Sequence, residues 1–136
     1  MKVEQAIEKA LDALQYCYVP YSKFHVAAVL VTEDGKAYTG VNIENASYPA
    51  TNCAERTAFF KAVSEGERKF SYIVLAGGME GNVTTYCSPC GICRQVMREF
   101  CNPATFKVII AKSTTDYIEY TLEEILPLGF GPESLV

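Results

Sequence analysis

Six cysteines in 136 residues are the most chemically specific feature of this chain. Three of them, Cys87, Cys90 and Cys93, fall in "YCSPCGICRQV" (86–96) at C-x2-C-x2-C spacing. A fourth, Cys53, opens "TNCAERTAFF" (51–60), two residues before Glu55. Thiolates so spaced suit a metal ion. A ferredoxin-type run would need another cysteine at position 97; Met97 stands there, so that run is broken. A single zinc needs fewer sulfurs. A catalytic site takes three protein ligands and keeps a position for water, whereas a structural site takes four. Pro89 and Gly91 around Cys90 favour Cys90 and Cys93 as the pair, at a predicted helix start. Cys53 sits at a second, and helix N-termini stabilise thiolates through their partial positive charge. On this reading Cys53, Cys90 and Cys93 hold the metal, Cys87 stands aside, and Cys17 and Cys101 are packing residues. The competing arrangement adds Cys87 to make a closed four-sulfur shell, a structural module without activity. His25, the only histidine, lies in the strand-like "FHVAAV" and is no ligand candidate.

Residues two apart on a helix do not face each other, so Cys53 and Glu55 share a site only if Cys53 lies at the helix boundary. A first-turn glutamate alone merely complements the helix dipole. Beside a metal it gains a chemical role, because it can take a proton from water and deliver it to a leaving group. Three thiolates leave the centre net negative, which is poor for acidifying water. Arg56 follows directly and can donate to a ligating sulfur, withdrawing charge.

These ends need elements to carry them. Val3, Ile7, Ala10, Leu11 and Leu14 recur at helical spacing, which predicts a helix over 3–17 ended by Pro20. "KFHVAAVLVT" (23–32) reads as a buried strand, "EDGK" (33–36) as a hairpin turn and "AYTGVNIE" (37–44) as the antiparallel partner. A helix from about Cys53 to Ser64 stops at Gly66. "YIVLAGG" (72–78) and "FKVIIAK" (106–112) read as strands, residues near 90–100 as a helix, and "TLEEIL" (121–126) as a last helix with a Thr-x-x-Glu capping box. No repeat or linker interrupts the chain, which reads as one domain over 1–136. Helix and strand alternate after the hairpin, predicting helices covering a mixed sheet.

The formal net charge is −4 and no basic run occurs, which argues against nucleic acid and for a small, roughly neutral partner. No apolar run reaches the ~18 residues a membrane span needs, and "MKVEQAIEKA" lacks a signal-peptide apolar region. A cytoplasmic setting is expected.

Together, "CAE" (53–55), "PCGIC" (89–93) with its extension "CRQ", and "NIENASY" (42–48) resemble the cytidine deaminase family. "YSKFHVAAVL" resembles its base-packing segment, and the likeness runs from about residue 16 to "EEILPLGF". The resemblance implies an α/β fold, a three-layer α/β/α sandwich with a mixed five-stranded sheet. It implies zinc, one per chain, on Cys53, Cys90 and Cys93. It further implies hydrolytic deamination of cytidine and deoxycytidine, as in pyrimidine salvage, with a zinc-activated hydroxide as nucleophile and Glu55 as proton shuttle. Carried over by position, Asn42 and Glu44 bind the ribose hydroxyls, Phe24 packs on the base and the Ala54 backbone holds its polar edge. A homotetramer is also implied, with Phe130 reaching a neighbour's site and Tyr48 near a shared interface. Within this chain, Asn42 and Glu44 are one residue apart in an extended segment, so they point the same way, as a bidentate sugar clamp requires. The chain departs from the family at Ala27, where glycine is usual, which bears on pocket width.

Overall fold

A strand apolar on both sides belongs inside a sheet covered on both faces. "FHVAAVLVT" has that character, and the computed structural model, which describes residues 1–136, places it so. Strand β1 (Phe24–Thr32) pairs antiparallel with β2 (Ala37–Val41) on one side and with β3 (Phe70–Met79) on the other. Strand β4 (Lys107–Ser113) runs parallel to β3, and β5 (Asp116–Thr121) closes the sheet antiparallel to β4. The order is β2-β1-β3-β4-β5, a mixed five-stranded sheet.

Side chains alternate across each strand, so each strand feeds two cores. Ala28 and Leu30 of β1, Ile73 and Leu75 of β3, and Val108 and Ile110 of β4 face one way. There they meet helices α2 (Ala54–Ser64) and α3 (Gly91–Phe100) and the single-turn α4 (Leu122–Ile125). Phe59 of α2 centres this layer, 5.2 Å from the Phe70 ring and 6.1 Å from Phe100 and Phe106. Ala27, Val29, Val74 and Ile109 face the other way, against Ala6, Ile7, Ala10 and Ala13 of α1 (Val3–Ala13). Helix, sheet and helix make three layers.

Three local features differ from the sequence reading. Helix α1 ends at Ala13 and tightens into a 3-10 turn over Leu14–Tyr16, so Pro20 follows the helix without ending it. Strand β2 stops at Val41, and Asn42–Glu44 leaves the sheet; Ile43 bridges Tyr18 and Asn52 instead. Strand β5 carries no sequence expectation. It is an edge strand with little buried area, so no apolar face marks it. The capping box at Thr121 is present, with Thr121 N–H donating to Glu124 Oε1 at 2.8 Å and Glu124 N–H to Thr121 Oγ1 at 3.2 Å. No helix is long and apolar enough to cross a membrane.

Topology brings the chemistry together. Strands β2 and β3 end at the edge of the sheet where β1 begins: Val41 pairs with Ala27, and Met79 with Phe24. The next helices, α2 and α3, therefore start at that edge with their positive ends converging there.

Candidate active site

Cys53 is the N-cap of α2 (φ −76°, ψ 157°) and Cys90 the N-cap of α3 (φ −69°, ψ 168°). Neither side chain caps its own helix. Their sulfurs and that of Cys93, in the first turn of α3, all lie within 4.8 Å of one another. Tetrahedral zinc with bonds of about 2.3 Å spaces its sulfurs about 3.8 Å apart, so the set fits that ion. Cys93 is fully buried and Cys90 exposed, so the trio is backed by core on one side and open on the other.

The electrostatics favour thiolate at Cys53. A hydrogen bond from Cys93 leads in pulling the Cys53 thiol down to about 5, against burial and helped by the Arg56 bond and charge. Cys93, the donor in that pair and buried, is pushed up. Arg56 Nη2 donates to Cys53 Sγ at 3.0 Å. Burial alone would lower the Arg56 pKa, but its bonds to Cys53 and Cys93 outweigh this and raise it. The fork is committed to sulfur, and its Nε–H is left buried without a partner.

Glu55 is 5% exposed. Burial lifts its carboxyl to about 7, and the negative charge at Cys53 adds to the lift. A carboxyl poised near neutrality can both accept and return a proton.

Cys87 stands outside the trio. Its sulfur fills the space beside Gly77, 2.9 Å from where a Cβ would be. Burial raises it to about 11, and the charges of Glu55 and Cys53 add to that. Cys17 donates to the Val26 carbonyl at 3.2 Å, and Cys101 is buried in the core. His25 Nδ1 lies 2.9 Å from the Leu14 carbonyl oxygen, tying β1 to the end of the first helix.

The residues expected to meet a nucleoside fall into two groups. Phe24 opens β1, Asn42 and Glu44 follow β2, and buried Ala54 is the first residue of α2, where helix N–H groups have no partner within the helix. Tyr48 and Phe130 are exposed, at 74% and 58%. Tyr48 lies edge-on to Tyr21 with centroids 6.4 Å apart, and the Phe130 carbonyl accepts from Gln95 Nε2 at 2.7 Å. The clamp geometry differs from the simple expectation: both side chains already hold backbone groups of residues 21–26.

Sequence reasoning gave no role to Gly40 or Gln95. A Cβ at Gly40 would collide with the Ala54 carbonyl oxygen and lie 2.5 Å from Ala58 N. The bare glycine lets the first turn of α2 rest on β2. Only a lone glycine inside a strand pattern hinted at such a close approach. For Gln95 the "CRQ" extension was the signal.

Residues 1–110 match the family model described as the cytidine and deoxycytidylate deaminase zinc-binding region. The chain belongs to the cytidine deaminase family. The cytidine deaminase of Sporosarcina psychrophila is 49% identical over 135 residues, covering 99% of this chain and 96% of the relative. That of Halalkalibacterium halodurans is 46% identical, over 99% of this chain and 98% of the relative. The crystal structure of cytidine deaminase from Burkholderia pseudomallei superposes with a TM-score of 0.86 at 42% identity, covering 96% of this chain and all of that one. That from Mycobacterium tuberculosis gives 0.79 at 31% identity, with 96% and 98% covered. The expected cytidine deaminase fold is the one observed. Cys53, Cys90 and Cys93 all fall within the matched zinc-binding region, and Phe130 lies beyond it.

Proposed function

We propose that this chain hydrolyses cytidine and deoxycytidine to uridine and deoxyuridine with release of ammonia, using zinc on Cys53, Cys90 and Cys93 and Glu55 as the proton carrier. The observation that carries the reading is the set of three thiols within 4.8 Å at two converging helix starts, with a buried carboxylate two residues from one of them. Held by three sulfurs, zinc supplies Lewis acidity, bringing a water's pKa toward neutrality. Arg56 tempers the sulfurs by donating to Cys53, so less of the ion's charge is neutralised. Glu55 takes a proton from the attacking water and gives it to the ring nitrogen beside the amine-bearing carbon. A C–O bond forms at that carbon. Glu55 then takes the proton of the new C–OH group and passes it to the amine nitrogen. The C–N bond breaks as the carbonyl forms, ammonia leaves and the carboxylate is restored. Burial of Glu55, which lifts the carboxyl above the usual carboxylate range, helps it hold a proton between the two transfers. Phe24 packs on the base, the Ala54 backbone meets its polar edge, and Asn42 and Glu44 meet the ribose.

The exposed Phe130 and Tyr48 support a homotetramer in which Phe130 reaches a neighbour's site. Sedimentation as a monomer would remove that role. The substrate is a small nucleoside, with no nucleic acid or membrane partner. Six cysteines outside any disulfide support a cytoplasmic setting.

The test is turnover. Purified protein given cytidine should lower the ultraviolet absorbance as uridine forms; a chelator should stop the reaction and added zinc restore it. A zinc-loaded protein that leaves cytidine unchanged would contradict the proposal.

A further inference from the structure

Asn42 and Glu44 are engaged with the protein itself. Asn42 Oδ1 accepts from Val26 N–H at 3.0 Å and its Nδ2 donates to the Phe24 carbonyl at 2.8 Å, bracketing His25. Glu44 Oε1 accepts from the N–H groups of Tyr21 and Ser22 at 3.0 and 3.1 Å. The main chain repeats the pattern: Tyr18 N–H donates to Asn42 O at 3.1 Å, Glu44 N–H to Tyr18 O at 2.8 Å, and Asn42 N–H to Val26 O at 3.1 Å. Residues 42–44 thus form an inner template around which 18–26 is wrapped.

Between the two side-chain anchors sits Lys23, with φ +61°, a left-handed conformation that non-glycine residues rarely adopt. Its N–H donates to Val19 O at 3.1 Å and its carbonyl accepts from Glu80 N–H at 2.8 Å. Phe24 comes next. A disfavoured backbone turn directly before an aromatic residue needs external bonds to persist. Val19 and Glu80 hold Lys23 itself, and Ser22 Oγ accepts from Phe24 N–H at 3.1 Å. Asn42 and Glu44 hold the backbone on both sides of the turn.

We propose that Asn42 and Glu44 are positioning residues for Phe24: they fix the backbone of 21–26, and through it the ring that forms one wall for the base. This rests on the proposed function, in which Phe24 packs the base. A sugar contact is still available, since one N–H of the Asn42 amide and Oε2 of Glu44 are outside these bonds. The two roles make different predictions. A pure sugar clamp is blind to a ligand without a sugar, whereas a positioning pair is not.

Free cytosine, used as a competitive inhibitor of cytidine turnover, separates them. Asn42→Asp is isosteric and still accepts from Val26 N–H, but it sets a carboxylate oxygen against the Phe24 carbonyl. Glu44→Ala removes the second anchor, and Glu44→Gln keeps an acceptor for Tyr21 and Ser22. Zinc content and circular dichroism report folding. Asn42→Asp and Glu44→Ala should weaken cytosine inhibition about tenfold, the effect of one lost hydrogen bond, together with a raised KM for cytidine. Glu44→Gln should leave cytosine inhibition near the parent value. Hydrogen exchange of the 21–26 amides should speed up in Asn42→Asp, and this measurement decides alone if cytosine competes too weakly to quantify. Unchanged cytosine inhibition with a raised cytidine KM, or unchanged exchange, would overturn the proposal. A zinc-loaded parent inactive on cytidine would count against the proposed function, while the exchange result would still judge the backbone role.

Discussion

At the scale of single residues, the three sulfurs that converge in the structure and the buried Glu55 beside one of them are marked in the sequence by short spacing. Cysteines three apart, with a further Cys-x-Glu, restrict the options before any fold is known. The sorting of the sulfurs follows from geometry: Cys53, Cys90 and Cys93 converge, while Cys87 lies apart beside Gly77. Zinc content should follow that division. Cys53→Ala, Cys90→Ala and Cys93→Ala should each lose the ion, and Cys87→Ala should keep about one zinc per chain by elemental analysis. A Cys87→Ala protein without zinc would restore the four-sulfur structural reading. The backbone bonds of Asn42 and Glu44 were not legible. Their partners lie 16 to 23 residues away along the chain, and the pattern of a polar extended segment is the same whether it faces a sugar or another strand.

At the scale of elements, periodicity located β1, α2, α3 and β4, and the Thr-x-x-Glu signal located the start of α4. It overran α1, because the apolar spacing continues through Leu14 although the helix tightens after Ala13. It missed β5, where Tyr117 and Tyr120 keep much of their surface exposed. The packing of α2 on β2 depends on one missing side chain. Gly40→Ala would drive a methyl group into the backbone at Ala54 and Ala58, which a rotamer change cannot relieve. Overpacking of this kind costs about 1–3 kcal/mol, more where backbone must move. The N-cap and first turn of α2 carry Cys53 and Glu55, so the displacement should reach the metal. Gly40→Ala should show a lower melting temperature and faster zinc loss to a chelator, measured on the same sample. Parent-like zinc retention would mean that α2 is fixed by its Phe59 core alone.

At the scale of the whole molecule, the site is a consequence of topology. Two helices following β2 and β3 begin at one edge of the sheet, beside the start of β1, and bring three cysteines, a carboxylate and an arginine to one place. Strand order was not readable from hydrophobic pattern, since alternation fixes which faces are buried but not which strands are neighbours. The family resemblance implied only a mixed five-stranded sheet. In the proposed reaction the three sulfurs hold zinc at this edge and Glu55 carries the protons. Glu55→Gln tests it most directly, because the amide keeps the size of the carboxyl and cannot shuttle a proton. The variant should fold, retain zinc and bind cytidine, while turnover falls by about 10⁴-fold, the upper range for a general acid–base group. A zinc-loaded Glu55→Gln that turns cytidine over within a few-fold of the parent would contradict the account.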